Sequence, residues 1–202
     1  MPDKKHWESR YEQNSTPWDT GEPDSHLVDT VKYNAILPGK ALEIGCGTGT
    51  NAIWMARQGF SVTANDISPL AIEKAREKAK KNGLKINFIV SDFLNDKTEG
   101  GPFSFVFDRG CFHSFEIDDD RSTFARKISG VIDKQGHWLS IIGSCDSPPR
   151  ETGPPMRSAK NIIDAVEPHF EILELRAILL DSKLSKPPPA WKCLMKKREF
   201  YS

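Results

Sequence analysis

Gly45, Gly47 and Gly49 alternate through the run Gly45-Cys46-Gly47-Thr48-Gly49, directly after the apolar stretch Ala41 to Ile44 and ahead of a helix-forming stretch from Asn51. Glycine lacks the side chain that would hold a ligand off the backbone, so three of them at a strand-to-helix turn suit close approach by a nucleotide. Asp66 stands 21 positions beyond Gly45, at the end of a second apolar run, where a carboxylate can accept hydrogen bonds from both hydroxyls of a ribose. The plainer alternative for Asp66 is a negative charge ahead of the helix that Ser68 can cap. A dinucleotide-binding GxGxxG fingerprint fails because the position it requires as glycine is Thr50, and the phosphate-cradling GxxxxGK[ST] loop is absent.

Proton-transfer chemistry has one main candidate, His113, with Glu116 and Asp146 behind it. A surface or helix-capping role for His113 stays open. Arg109, Arg150 and Arg157 can each fix an anion through paired hydrogen bonds, or serve only as solubilising charge. Cys46, Cys111, Cys145 and Cys193 form no CxxC pair, which speaks against zinc and a redox dithiol, and no metal site is expected.

The elements that must hold these residues alternate in type. From Lys40 onward short apolar runs are separated by amphipathic stretches, the pattern of a parallel sheet with helices on both faces. Strands are expected at Ala41 to Ile44, Phe60 to Ala64, Ile86 to Val90, Phe103 to Phe107 and Trp138 to Ile142, and a final pair at Phe170 to Leu180 and Trp191 to Lys197. Helices are expected from Asn51 to Gln58, from Pro69 to about Lys81, from Arg121 to Ile132 and near Ala159 to Val166. Residues 1–39, with Trp7, Tyr11, Pro17 and Trp18, read as a lid or cap on a core spanning 40–202, the whole 1–202 forming a single domain.

Bulk properties narrow the class. Lys plus Arg equal Asp plus Glu at 28 each, so nothing in the total charge calls for a polyanionic partner, and nucleic acid is disfavoured. The polar Met1 to Arg10 is no signal peptide and no run approaches membrane-spanning length, so a cytoplasmic protein that is monomeric or dimeric and does not enter a membrane is expected.

The run Leu42-Glu43-Ile44-Gly45-Cys46-Gly47-Thr48-Gly49, with Asp66 and Asp92, resembles the class I S-adenosylmethionine-dependent methyltransferases. That resemblance covers Lys40 to Trp138 and implies an α/β fold, a Rossmann-like three-layer sandwich around a seven-stranded, mostly parallel sheet with the last strand antiparallel. It implies S-adenosyl-L-methionine as cofactor, leaving as S-adenosyl-L-homocysteine. The Gly45 to Gly49 loop, with Glu43 ahead of it and Cys46 inside it, would approach the methionine part; Asp66, followed by Ile67, would hold the ribose. Asp92 would reach the adenine amino group, Phe93 would pack on the adenine ring, and the backbone around Asp108, Arg109 and Gly110 would line the methionine end. A turn cap for Asp92 and ordinary core packing for Phe93 stay open.

Upstream, Trp7, Tyr11 and Pro17-Trp18-Asp19-Thr20-Gly21-Glu22-Pro23 look like the start of the thiopurine, thiol, halide and tellurite methyltransferase group, as does Gly153-Pro154-Pro155. Trp18 would cover the methionine end, exclude water and contact the sulfonium, or else merely staple the arm to the core. The expected acceptor is then a small molecule with a soft nucleophile, which needs no general base when already an anion. O- or N-methylation of a small metabolite, and a non-catalytic module that only binds S-adenosylmethionine, are the alternatives. An NPPY-like or Pro-Cys motif of DNA-modifying relatives is missing at Asp108-Arg109-Gly110-Cys111, and Cys145-Asp146-Ser147 lacks the Asp-Asn pair of magnesium-dependent ones.

Overall fold

The computed structural model describes residues 4–34, 36–146 and 155–199. Two helices come first, α1 (Lys4–Glu12) and α2 (Ser25–Tyr33). Then follow β1 (Lys40–Ile44), α3 (Thr50–Arg57), β2 (Ser61–Asp66), α4 (Pro69–Lys81), β3 (Asn87–Val90), β4 (Phe103–Arg109), α5 (Asp118–Val131), β5 (Ile132–Gly143), α6 (Ala159–Val166), β6 (Phe170–Leu179) and β7 (Pro189–Lys197).

Local chemistry sets these boundaries. Ser68 caps α4 by accepting from the Ala71 N–H at 3.0 Å, Pro69 opens the helix where no N–H is needed, and Asn82 with the left-handed Gly83 ends it. The helix α6 starts on a reciprocal box between Ser158 and Asn161. In β1 every residue after Lys40 is buried, as a strand covered on both faces requires.

The strands form one sheet in the order β3-β2-β1-β4-β5-β7-β6. Pairings among β1 to β5 are parallel, and β7 runs antiparallel to both its neighbours, so the last strand is the reversed one. One core layer fills the space between the sheet and α2 to α4, around Leu27, Ile53, Met55 and Ile72. The other lies under α5 and α6, around Phe124, Ile128, Trp138 and Ile162. Strand order reverses between β1 and β4, and at such a switch the connections leave a crevice beyond the carboxyl ends of the strands.

Two differences from the sequence reading bear on that crevice. Strand β2 runs on through Asp66 and β4 through Arg109, so both residues are held by the ladder rather than by the loops beyond it. The segment ahead of β1 is also more ordered than a plain lid: α2 is capped by the Asp24 carboxylate, which accepts from the N–H groups of His26 and Leu27. Among the described residues no helix is long and apolar enough to cross a membrane.

Candidate functional site

The bend after β1 is built from three left-handed glycines, with φ of 68° at Gly45, 53° at Gly47 and 76° at Gly49. They do different work. A Cβ on Gly49 would lie 2.9 Å from the Ala75 Cβ and 3.0 Å from the Phe88 ring, so this glycine lets α4 and β3 close on the start of α3. A Cβ on Gly47 would lie 2.9 Å from the Tyr11 hydroxyl, which covers the bend from α1. The bend is pinned to β2 by the Cys46 N–H donating to the Asn65 carbonyl at 2.9 Å and the Gly47 N–H donating to the Asp66 carboxylate at 2.8 Å.

The carboxylates around the bend are nearly dry. Asp66 is 7% exposed; its second oxygen accepts from the Ser68 N–H at 2.9 Å. Burial raises its pKa, opposed by the N–H groups of Ser68, Gly47 and Ile67. Glu43 is more extreme. One oxygen accepts from Asn51 Nδ2 at 3.2 Å, the other is buried with no partner in hydrogen-bond geometry, and desolvation, opposed by Asn51 and the nearby Ala52 N–H, pushes its pKa up to about 8. Ile67 lies half-buried just past Asp66.

Past the other strands the proposed binding residues divide. Asp92 accepts from the Leu94 N–H at 2.9 Å and from Asn95 Nδ2 at 2.8 Å, closing a turn after β3. The Phe93 ring packs edge-on against Phe124 at 5.0 Å, inside the α5 layer of the core. Successive residues of a strand face opposite sides, and β4 shows the consequence. Asp108 turns toward α5, where it accepts from Trp138 Nε1 at 2.9 Å and the Phe112 N–H at 3.0 Å, and burial lifts its pKa to about 6. Arg109 turns toward α2 and donates to the Asp24 carboxylate, the Trp18 carbonyl and the Asp181 carbonyl.

On the lid side Trp18 meets Trp7 and Tyr11 edge-to-face, at 5.6 and 6.2 Å, with the Arg10 guanidinium 5.2 Å over its ring. Glu8 accepts from the Ser68 hydroxyl and the Leu70 N–H, and Lys74 donates to the Tyr11 carbonyl at 2.9 Å, which anchors α1 to the first turns of α4. The Thr48 hydroxyl donates to Asp19 at 2.7 Å, so the connector before α2 touches the glycine bend directly.

Beyond β4 and β5, His113 is buried and its Nδ1 accepts from the Gly143 N–H at 2.7 Å. The neutral ring therefore carries its proton on Nε2. Glu116 and Asp146 are exposed. Arg157 donates to the carbonyls of Met156 and Phe115, both at 2.8 Å. Arg150 and Gly153-Pro154 lie outside the described residues.

Residues the sequence reading did not single out complete the arrangement. Asn51 links the Glu43 carboxylate to the Asp24 N–H, accepting from the latter at 2.9 Å. Asp24 and Asp181 complete the contacts of Arg109. An Asp-Ser pair ahead of an apolar stretch is a helix-start signature and marks Asp24, whereas nothing local marks Asn51 or Asp181.

The family model for a methyltransferase domain matches residues 41–136. A probable thiol methyltransferase of Arabidopsis thaliana is 30% identical over 151 residues, covering 74% of this chain; the chain spans 65% of that relative's length. A human EEF1A lysine methyltransferase is 30% identical over 161 residues, covering 71% of this chain and 67% of the relative. Among solved structures, one described for the conversion of a disulfide bond into a thioacetal group during echinomycin biosynthesis superposes with a TM-score of 0.83 at 25% identity, covering 98% of this chain and 93% of that one.

Proposed function

This chain belongs to the class I S-adenosylmethionine-dependent methyltransferases, and from that premise we propose that it methylates a soft nucleophilic atom, foremost the sulfur of a small thiol. The observation that carries the donor half is the unpartnered, buried carboxylate oxygen of Glu43 beside a glycine bend, with Asp66 at its edge. A buried carboxylate with an idle acceptor favours a ligand that brings positive charge and donor groups, which a sulfonium amino acid joined to a nucleoside does.

When bound, S-adenosylmethionine supplies a methyl group made electrophilic by its sulfonium. The chain's own part is to bind, align and dry. Asp66 keeps acceptor capacity on both oxygens beside its bonds to the Gly47 and Ser68 N–H groups and is the residue to hold the ribose hydroxyls. Glu43 meets the cationic end, and the side-chain-free bend lets the methionine part approach the backbone. Tyr11, held over the bend by α1, and Trp18, packed edge-on against it, exclude water from the line of displacement.

The acceptor half rests on His113. With Nδ1 already accepting a backbone N–H, the neutral ring carries its proton on Nε2, so it is not set to remove a proton from the acceptor. An anionic thiolate needs no such base. A lysine ammonium does, and the likeness to an EEF1A lysine methyltransferase makes a protein acceptor the second reading. The test is transfer of radiolabelled methyl from S-adenosylmethionine to small thiols, sulfide, thiocyanate and iodide on one side and to a lysine-bearing protein such as EEF1A on the other. Labelled thioether with unlabelled protein is expected; label in protein alone would overturn the reading, and a His113→Ala variant retaining the thiol rate within a few-fold is expected beside it.

A further inference from the structure

Three segments far apart in the chain meet at one guanidinium. Arg109 Nε lies 2.7 Å from the Asp24 carboxylate, Nη1 lies 3.0 Å from the Trp18 carbonyl and Nη2 lies 2.6 Å from the Asp181 carbonyl. The pair is withdrawn from water, the Asp24 side chain being 1% and the Arg109 side chain 14% exposed. The two outer segments are also fastened to each other: the Ser25 N–H and hydroxyl both donate to the Asp181 carboxylate, and the His26 ring is 2.9 Å from the Leu179 carbonyl. From Asp24 the chain of bonds continues through Asn51 to Glu43 at the glycine bend.

Trp18 and Tyr11 belong to the same cover, the Tyr11 hydroxyl sitting over Gly47. A ligand entering the crevice at the bend must part this cover, and among the contacts that resist parting Arg109 is the side chain that bonds both outer segments at once. We propose that Arg109 is a positioning residue, the clasp that holds the α1–α2 connector and the β6–β7 connection together as one lid and sets how slowly the donor product escapes. Its fork is suited to this work because a planar guanidinium can donate in three fixed directions at once, where a lysine ammonium on a flexible stem is a single point charge. The escape half of the proposal rests on the reading that the crevice takes S-adenosylmethionine; the clasp itself does not.

Hydrogen exchange on the ligand-free full chain tests the clasp. In Arg109→Gln, amides of 16–27 and of 179–184 should lose protection together, while those of β1 and β4 up to Val106 keep theirs. Asp24→Asn should do the same, because asparagine preserves the helix cap while removing the charge; it carries the test if Arg109→Gln fails to fold. Arg109→Lys should not rescue. Stopped-flow release of S-adenosylhomocysteine should quicken about tenfold in both variants, the scale of one charge-assisted hydrogen bond. Unchanged protection, or loosening of one segment without the other, overturns the clasp. Coupled loosening with an unchanged release rate overturns its role in escape. If calorimetry finds no S-adenosylhomocysteine binding to the unaltered chain, the donor reading and the escape role fall, and the exchange data still decide the clasp.

Discussion

Glu43 and Asp66 lie within one bend of each other yet do different jobs, and substitution separates them. Asp66 is committed to backbone N–H groups on both oxygens, so Asp66→Ala should loosen the bend at Gly47 and, on the proposed reading, take away the ribose contact as well. Calorimetry with S-adenosylhomocysteine should show a loss of about 1.5–3 kcal/mol, the range for hydrogen bonds to a charged group. Glu43 is largely protonated at neutral pH in the ligand-free chain, since burial holds its pKa at about 8. A cationic ligand favours the ionised form, so binding S-adenosylmethionine near pH 7 should release a proton, seen as a binding enthalpy that depends on the buffer's ionisation enthalpy. Glu43→Gln should abolish that dependence; an unaltered one would remove Glu43 from the donor site.

The glycine bend shows at the scale of an element what a residue pattern conceals. Three alternating glycines read alike in sequence, but Gly49 faces Ala75 and Phe88, whereas Gly47 faces the lid. Gly49→Ala should therefore act on folding: a left-handed φ on a non-glycine residue alone costs on the order of 1–3 kcal/mol, and the tight contacts to α4 and β3 add to it. Urea unfolding of that variant should show a lowered midpoint with the slope unchanged. Helix α6, with its Ser158 box, follows the expected Ala159 to Val166, because its start signal is local. The ends of β2 and β4 went beyond expectation, to Asp66 and Arg109, because pairing with neighbouring strands carries polar residues into a ladder that their own propensities disfavour.

Across the whole molecule, the buried acids tie stability to pH. Glu43 and Asp108 hold protons in the folded chain, up to about 8 and about 6, that the unfolded chain gives up near the ordinary carboxylate range of about 4. The folded state binds more protons between those limits, so their contribution to stability falls as pH rises from about 4 to about 8. Urea midpoints compared between the unaltered chain and Glu43→Gln should diverge over pH 6 to 8, the variant declining less; parallel curves would mean that Glu43 is not held protonated. The sequence by itself determined the alternation of strand and helix, the reversed last strand that the glycine-loop resemblance implies, and the gathering of Gly45, Asp66, Asp92 and Asp108 near the carboxyl ends of their strands, because periodicity, caps and breakers are written in neighbouring residues. Only the tertiary structure decided what those residues touch: that Phe93 and Asp108 turn into the α5 core, that His113 Nδ1 accepts from the Gly143 N–H, and that Arg109 joins Trp18, Asp24 and Asp181. Which face of a strand a side chain takes, and which distant segment waits there, follows from sheet register and layer packing, and these join residues that no local pattern connects.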